Sequence, residues 1–175
     1  MTIKNEFPFW NFVFKQGVIY GLVMLIISTS FDLLGIAQTN WSWLPLIPAI
    51  VILFYTIQER KKTQNNFITF SEGMSVGIVS GIIGGFISTL FSILYFNLIL
   101  PERKQALLNA SRRQIEERYP DMSEEQINQA LSYSEYAFQP HIFLAVGMVV
   151  NIIFVSLVVL ILAAILKKEK NNPFE

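Results

Sequence analysis

Four long apolar stretches divide the chain, with polar segments between them. A helix that crosses a bilayer needs about 20 mostly apolar residues. The first stretch runs from about Phe12 to Ala37, with Asp32 its only acid. The second, from about Trp41 to Ile57, is short and carries Pro45 and Pro48 in its first turns. The third, from about Gly73 to Leu100, and the fourth, from about His141 to Leu166, contain no Asp, Glu, Lys or Arg. The pattern predicts an all-α integral membrane protein with four transmembrane helices. For the second stretch the alternative is a re-entrant or interfacial segment. Trp41 and Trp43 at one end and Tyr55 at the other match the aromatic belts of a full crossing. For the first stretch the alternative is a cleaved signal peptide, with Gly35 and Ala37 as small residues at the cleavage site and Lys4 and Lys15 ahead of the apolar run. The length of the run and the acid Asp32 favour a retained helix.

The segment 101–138 between the third and fourth stretches is polar and has a helical pattern of its own. Pro101 fits the first position of a helix. Arg112 and Arg113 stand four residues before Glu116 and Glu117, within reach on one helix surface. Tyr119 and Pro120 end that helix. Ser123 opens a capping box that uses Gln126. Ile127, Ala130, Leu131, Ser134, Ala137 and Phe138 then recur at helical spacing as an apolar stripe. The chain is therefore expected to form a single membrane domain, 1–175, with a helical hairpin inserted between spans three and four. The stripe can pack on the first hairpin helix, lie on the membrane or dock a partner.

Within the third stretch, Gly73, Gly77, Gly81 and Gly85 fall one every fourth residue, and Ser80, Gly84, Ser88 and Ser92 form a second small series. Glycine costs a soluble helix roughly 1 kcal/mol relative to alanine. In lipid every backbone amide must bond internally, so a glycine-rich span stays helical. Helix association there depends on close backbone contact, which small side chains permit. The two series predict a broad helix-packing face. It can serve the protein's own spans, or a seam with a second copy or a membrane-protein partner.

Composition agrees with a membrane protein. The 175 residues are 53% hydrophobic and 15% charged, against about 25% charged in soluble domains. Mean hydropathy is +0.46. Thirteen basic and thirteen acidic residues cancel, so charge points to no nucleic-acid partner. The absence of cysteine excludes disulfides and thiolate sites. Basic residues set orientation. Lys4 and Lys15, then Arg60, Lys61 and Lys62, then Lys167, Lys168 and Lys170 fall on one side of a four-span protein. On the other side, the five basic residues of 101–138 are diluted by acids. Both termini are expected in the cytoplasm and the insert 101–138 outside, which in a bacterium is the periplasm, with the lipid bilayer, and a membrane-protein partner or a second copy, as the expected partners.

Few residues carry candidate chemistry. An ionisable group inside a span is a functional hypothesis by default, and Asp32 is the one such group. It reads as an interfacial acid or local cap, or as a proton- or ion-coupling residue. His141, the only histidine, sits after Pro140 and reads as an interfacial anchor. Asn97 and Asn151 can hydrogen-bond across to another helix. Glu72 suits a helix N-terminus. Phe67, Ile68 and Phe70 read as an interfacial ledge, and Arg60, Lys61 and Lys62 can meet anionic lipid. No Walker motif, HExxH, GxSxG or paired intramembrane carboxylate is present, so no catalytic residue, metal site or cofactor is assigned.

Four stretches, "FITFSEGMSVG", "YFNLILPE", "MSEEQINQA" and "FQPHIFLAVG", resemble a bacterial inner-membrane family known as domain of unknown function forty-one ninety-nine. The resemblance covers most of the chain. It implies four spans with a helical insert, and it brings no catalytic residues. The sequence thus points to a small non-enzymatic accessory or scaffold subunit that binds another membrane component through its insert or its glycine-rich third span. The alternative is a small oligomeric ion-coupled transporter using Asp32.

Overall fold

The computed structural model describes residues 8–36 and 39–168. Lys4, Ala37 and Lys170, which entered the expectations above, lie outside these residues. The described chain is all-helical: α1 (Phe9–Leu33), α2 (Leu46–Thr63), α3 (Phe70–Leu94) with a π-helical turn (Tyr95–Ile99), α4 (Pro101–Arg118), α5 (Glu124–Ala137) and α6 (Pro140–Leu166). Three of the helical segments are long and apolar enough to cross a membrane: Phe9–Leu33, Phe70–Ile99 and Pro140–Leu166. At 1.5 Å per residue even the shortest of them is roughly 38 Å long, more than the ≈ 30 Å hydrocarbon core. Ile26, Leu157 and Ile165 on their outward faces are 62%, 62% and 69% exposed, an arrangement suited to an apolar solvent.

The second stretch departs from expectation. Its helix starts at Leu46, not near Trp41, because Pro45 caps it and Pro48 occupies its first turn, where missing N–H groups cost nothing. Residues 39–45 instead form tight turns, with Ser42 N donating to Thr39 O (3.1 Å) and Leu44 N to Trp41 O (3.0 Å). Trp41 and Trp43 stack there, ring centroids 6.3 Å apart. The charge-free part of α2, Leu46–Gln58, measures only about 20 Å.

The chain forms two compact units, residues 1–88 with 148–175 and residues 89–147. In the first, Tyr20 of α1, Leu53 and Ile57 of α2, Ile68, and Val155 and Val159 of α6 share one core. Phe12 and Val13 of α1 pack with Val76 of α3 in a second cluster. Four helix ends meet at one end of this unit. Gln16 near the start of α1 donates to Glu59 near the end of α2. Arg60 of α2 pairs with Glu72 in the first turn of α3 (2.9 Å). Lys61 Nζ donates to Leu166 O, the last residue of α6 (2.8 Å).

In the second unit, Leu100 N closes the π-turn on Tyr95 O (2.9 Å), and Pro101, with no N–H to lose, opens α4. Phe96, Phe138 and Phe143 form an aromatic cluster with centroids 5.9–6.2 Å apart, and Lys104 Nζ lies 5.8 Å from the Phe138 ring. The capping box at the start of α5 is formed: Gln126 N donates to Ser123 Oγ (3.3 Å) and Ser123 N to Gln126 Oε1 (2.9 Å). Ile127 of the apolar stripe is buried, as is Leu108 of α4, whereas Ala137 is exposed.

Candidate functional site

Two faces of α3 meet other helices. Toward α6, a Cβ on Gly77 would stand 2.7 Å from Val159 Cγ1, and one on Gly81 would stand 2.5 Å from Val155 Cγ1. On Gly85 it would overlap the Asn151 amide, so that amide fills the notch that glycine leaves. Asn151 Nδ2 donates to Gly81 O across the two helices at 3.1 Å. Gly73 is looser, 3.2 Å from Ala163 Cβ. Toward α1, the approach is backbone to backbone. A Cβ on Gly84 would overlap the Tyr20 ring and stand 2.7 Å from Gly17 O and 2.9 Å from Gly21 N. A Cβ on Gly21 would in turn stand 2.8 Å from Gly84 O. Gly17 and Gly21 are thus the α1 counterparts of Gly84. Their four-residue spacing in the first apolar stretch is the sequence signal for this contact.

Ser88 is half-buried one turn beyond Gly84. Ser80 is fully buried, and its hydroxyl has no hydrogen-bond partner among the described residues. Such a group carries a desolvation penalty of about 1–3 kcal/mol.

The other polar candidates are dispersed. Asp32, in the last turn of α1, is only 7% exposed, and its carbonyl accepts from Gly35 N (2.9 Å), where Gly35 turns the chain at φ 72°. The protein thus covers Asp32 at the very end of the span. Asn97 is exposed and donates back to Ile93 O, one turn earlier in its own helix (2.8 Å), so this bond bridges no helices. His141 is exposed in the first turn of α6.

The end of the first unit where the four helix ends meet is the densest polar cluster. Glu72 accepts from Arg60 and from Gln64, and its own N–H donates to Thr69 Oγ1 (3.2 Å). Its charge also faces the positive end of the α3 dipole. The Arg60 guanidinium lies over the Phe12 ring at 5.6 Å, a favourable cation–π contact. Between α2 and α3 the chain reverses through Asn65 and Asn66, both left-handed (φ 57° and 64°), a conformation asparagine tolerates better than most residues. Ile68 then forms an antiparallel bridge to Lys168 beyond α6, with Ile68 N donating to Lys168 O (3.0 Å) and Lys168 N to Ile68 O (2.9 Å). The expected ledge is therefore split: Ile68 is buried, Phe67 half-buried under the Lys168 ammonium (5.6 Å), and Phe70 exposed. The pairing of residue 68 with residue 168 had no local sequence signal.

In the hairpin, Arg112 pairs with Glu116 (2.9 Å) and with Glu124 across the turn (2.6 Å). The hydrogen bond that Arg112 donates to Glu116, then the charge of Glu124, hold the guanidinium above its ordinary range. Arg113 turns back to Asn109 O (3.5 Å) rather than to Glu117. Tyr119, Tyr133 and Tyr136 are exposed.

The chain belongs to the family described as "Protein of unknown function (DUF4199)", which matches residues 15–168. No curated protein and no solved structure matches it.

Proposed function

We propose that the protein is a non-enzymatic accessory or scaffold subunit of the bacterial inner membrane that docks another membrane component through the α4–α5 hairpin. The observation that carries this reading is the contrast in occupancy between its two candidate surfaces. The glycine faces of α3 are taken up by Val155, Val159 and Asn151 of α6 and by Gly17, Tyr20 and Gly21 of α1. This favours an internal packing role for the small-residue series over an intermolecular seam. The hairpin, by contrast, exposes Tyr133 and Tyr136 on α5, and tyrosine is enriched in interface cores.

In this reading the chain crosses the membrane four times. The meeting of the α1 start, α2 end, α3 start and α6 end supports it, since α2 must then return from the far end. The short apolar part of α2 is accommodated by the turn at 39–45, with Trp41 and Trp43 at headgroup level. Lys15, Arg60, Lys61, Lys62, Lys167 and Lys168 support a cytoplasmic position for the shared end, and this reading has the hairpin in the periplasm. Reporter fusions after Lys62 should read cytoplasmic and one near Tyr119 periplasmic. A cytoplasmic signal near Tyr119 would overturn this topology. Affinity purification in mild detergent should recover a stoichiometric partner, and Tyr133→Ala with Tyr136→Ala should lose it while leaving the fold intact. A pure oligomer with ion-dependent uptake would refute the accessory role.

The burial of Asp32 favours one second reading, an ion-coupled transporter. If that reading holds, Asp32→Asn abolishes uptake in a folded protein.

A further inference from the structure

At the polar end of the first unit, a cavity of about 300 Å³ is bounded by Gln58, Lys61, Lys62, Asn66, Leu166 and Lys168. Three of these six residues are lysines and none is an acid. Among the described residues no carboxylate pairs with any of the three. The two nearby acids face elsewhere: Glu59 accepts from Gln16 of α1, and Glu72 is shared by Arg60 and Gln64.

The simplest account of the lysines is that they neutralise the helix ends, since α2 and α6 both terminate here. Its magnitude is too small. A helix C-terminus carries roughly half a negative charge, so two ends supply roughly one unit against three ammonium groups. Among the described lining residues, this leaves a surplus of roughly two positive charges. The site is also held in shape from parts of the chain far apart in sequence. Lys61 Nζ is fixed on Leu166 O, the Lys168 backbone is fixed by its bridge to Ile68, and the Lys168 ammonium rests near the Phe67 ring. Lys62 is exposed on the last turn of α2.

We propose that this cavity binds a phosphate-bearing anion, with Lys62 and Lys168 as its principal charge partners and the Gln58 and Asn66 amides as further donors. The surplus charge matches a phosphate monoester or a lipid headgroup with two phosphodiesters. Both ligands present the same chemistry, and they differ in whether acyl chains accompany the phosphate. The inference does not depend on the accessory role, since none of the residues it names belongs to the hairpin.

The test is thermal unfolding of the full-length protein in neutral detergent, titrated with cardiolipin, phosphatidylcholine or glycerol 3-phosphate. Cardiolipin or glycerol 3-phosphate should raise the midpoint saturably, and phosphatidylcholine should not. Binding by cardiolipin alone identifies a lipid headgroup site, and equal binding by glycerol 3-phosphate identifies a soluble phosphate ligand. Each outcome supports the proposal. Each lysine near a phosphate contributes roughly fivefold in affinity, so Lys62→Gln with Lys168→Gln should weaken binding roughly 25-fold. Lys168→Gln keeps the backbone bridge, and Lys62→Gln alters an exposed side chain. If the double variant does not fold, Lys62→Gln alone should still weaken binding roughly fivefold. A control pair, Arg113→Gln with Arg118→Gln, removes the same charge from α4 and should leave binding unchanged. No saturable binding by any probe, unchanged binding in the lysine variants, or equal loss in the α4 control would each overturn the proposal.

Discussion

Gly84 in the bundle and Ser123 in the hairpin each support a helix, and they do so in opposite ways. Gly84 acts by having no side chain, so that the backbones of α3 and α1 come within reach of one another. Ser123 acts through its side chain, which satisfies a backbone N–H that would otherwise face water alone. The difference follows composition: long apolar helices in the bundle, short polar ones in the hairpin. Where apolar faces are surrounded by lipid, burial gives helices little reason to associate, so shape and backbone proximity must hold them together. Where a short helix stands in water, nucleation is unfavourable, and caps and ion pairs tip the balance. Asp32 apart, the bundle gathers its described charged residues where the α1 start, α2 end, α3 start and α6 end meet, and puts glycine, valine and one asparagine amide between its helices. The hairpin spreads Arg112, Glu116, Glu124 and its capping box over its surface.

The contrast can be broken most forcefully at Gly84. Gly84→Leu would drive a side chain into the Tyr20 ring and the α1 backbone, neither of which can step aside at low cost. A loss of about 3 kcal/mol or more is expected, read as thermal unfolding in detergent. Gly73→Ala, where the nearest atom is 3.2 Å away, should lose less than about 1 kcal/mol. Equal losses at the two positions would show that small size is not what matters on α3. Next comes the polar end of the bundle. Glu72→Ala removes an acceptor shared by Arg60 and Gln64 in a setting where the Arg60 and Glu72 side chains are only 14% and 24% exposed. The expected loss is about 1.5–3 kcal/mol. An unchanged midpoint would mean that the α2–α3 end is held by apolar packing alone.

Two smaller effects sharpen the comparison by sign and by place. Ser80→Ala should stabilise the protein by about 1 kcal/mol, because it removes a buried hydroxyl that nothing described receives. A loss of stability would reveal a partner for that hydroxyl. Ser123→Ala should cost about 1 kcal/mol, and hydrogen exchange should find the loss within α5 and not in α1 or α6. Deprotection spread across the bundle would mean that the hairpin and the bundle unfold as one.

Much of the local structure could be read from residue order. The charge-free runs after Gly73 and after His141 allow little except membrane-length helices, since lipid leaves an unpaired backbone no other way to be satisfied. Pro101 and the Ser123–Gln126 box mark helix starts through interactions only three residues apart, which the sequence states directly. Other features were harder to see. The start of α2 was misplaced because Trp41 and Trp43 are apolar enough to extend a span, whereas turns stabilised by Thr39 hold them outside the helix. Asn97 offered an amide without saying whether it would find its own helix or another.

What the amino-acid order determined by itself was the helical content, the apolar surfaces and the spacing of the glycines, because these depend on neighbours within one or two turns and on the solvent. Tertiary structure alone decided which helix meets which glycine: Val159 against Gly77, Gly17 and Gly21 against Gly84, Lys168 against Ile68. Such pairings join residues many turns apart, and several apolar helix faces could satisfy each one about equally well by composition. Which pairing forms depends on the simultaneous fit of whole surfaces, a property no single stretch of the chain contains.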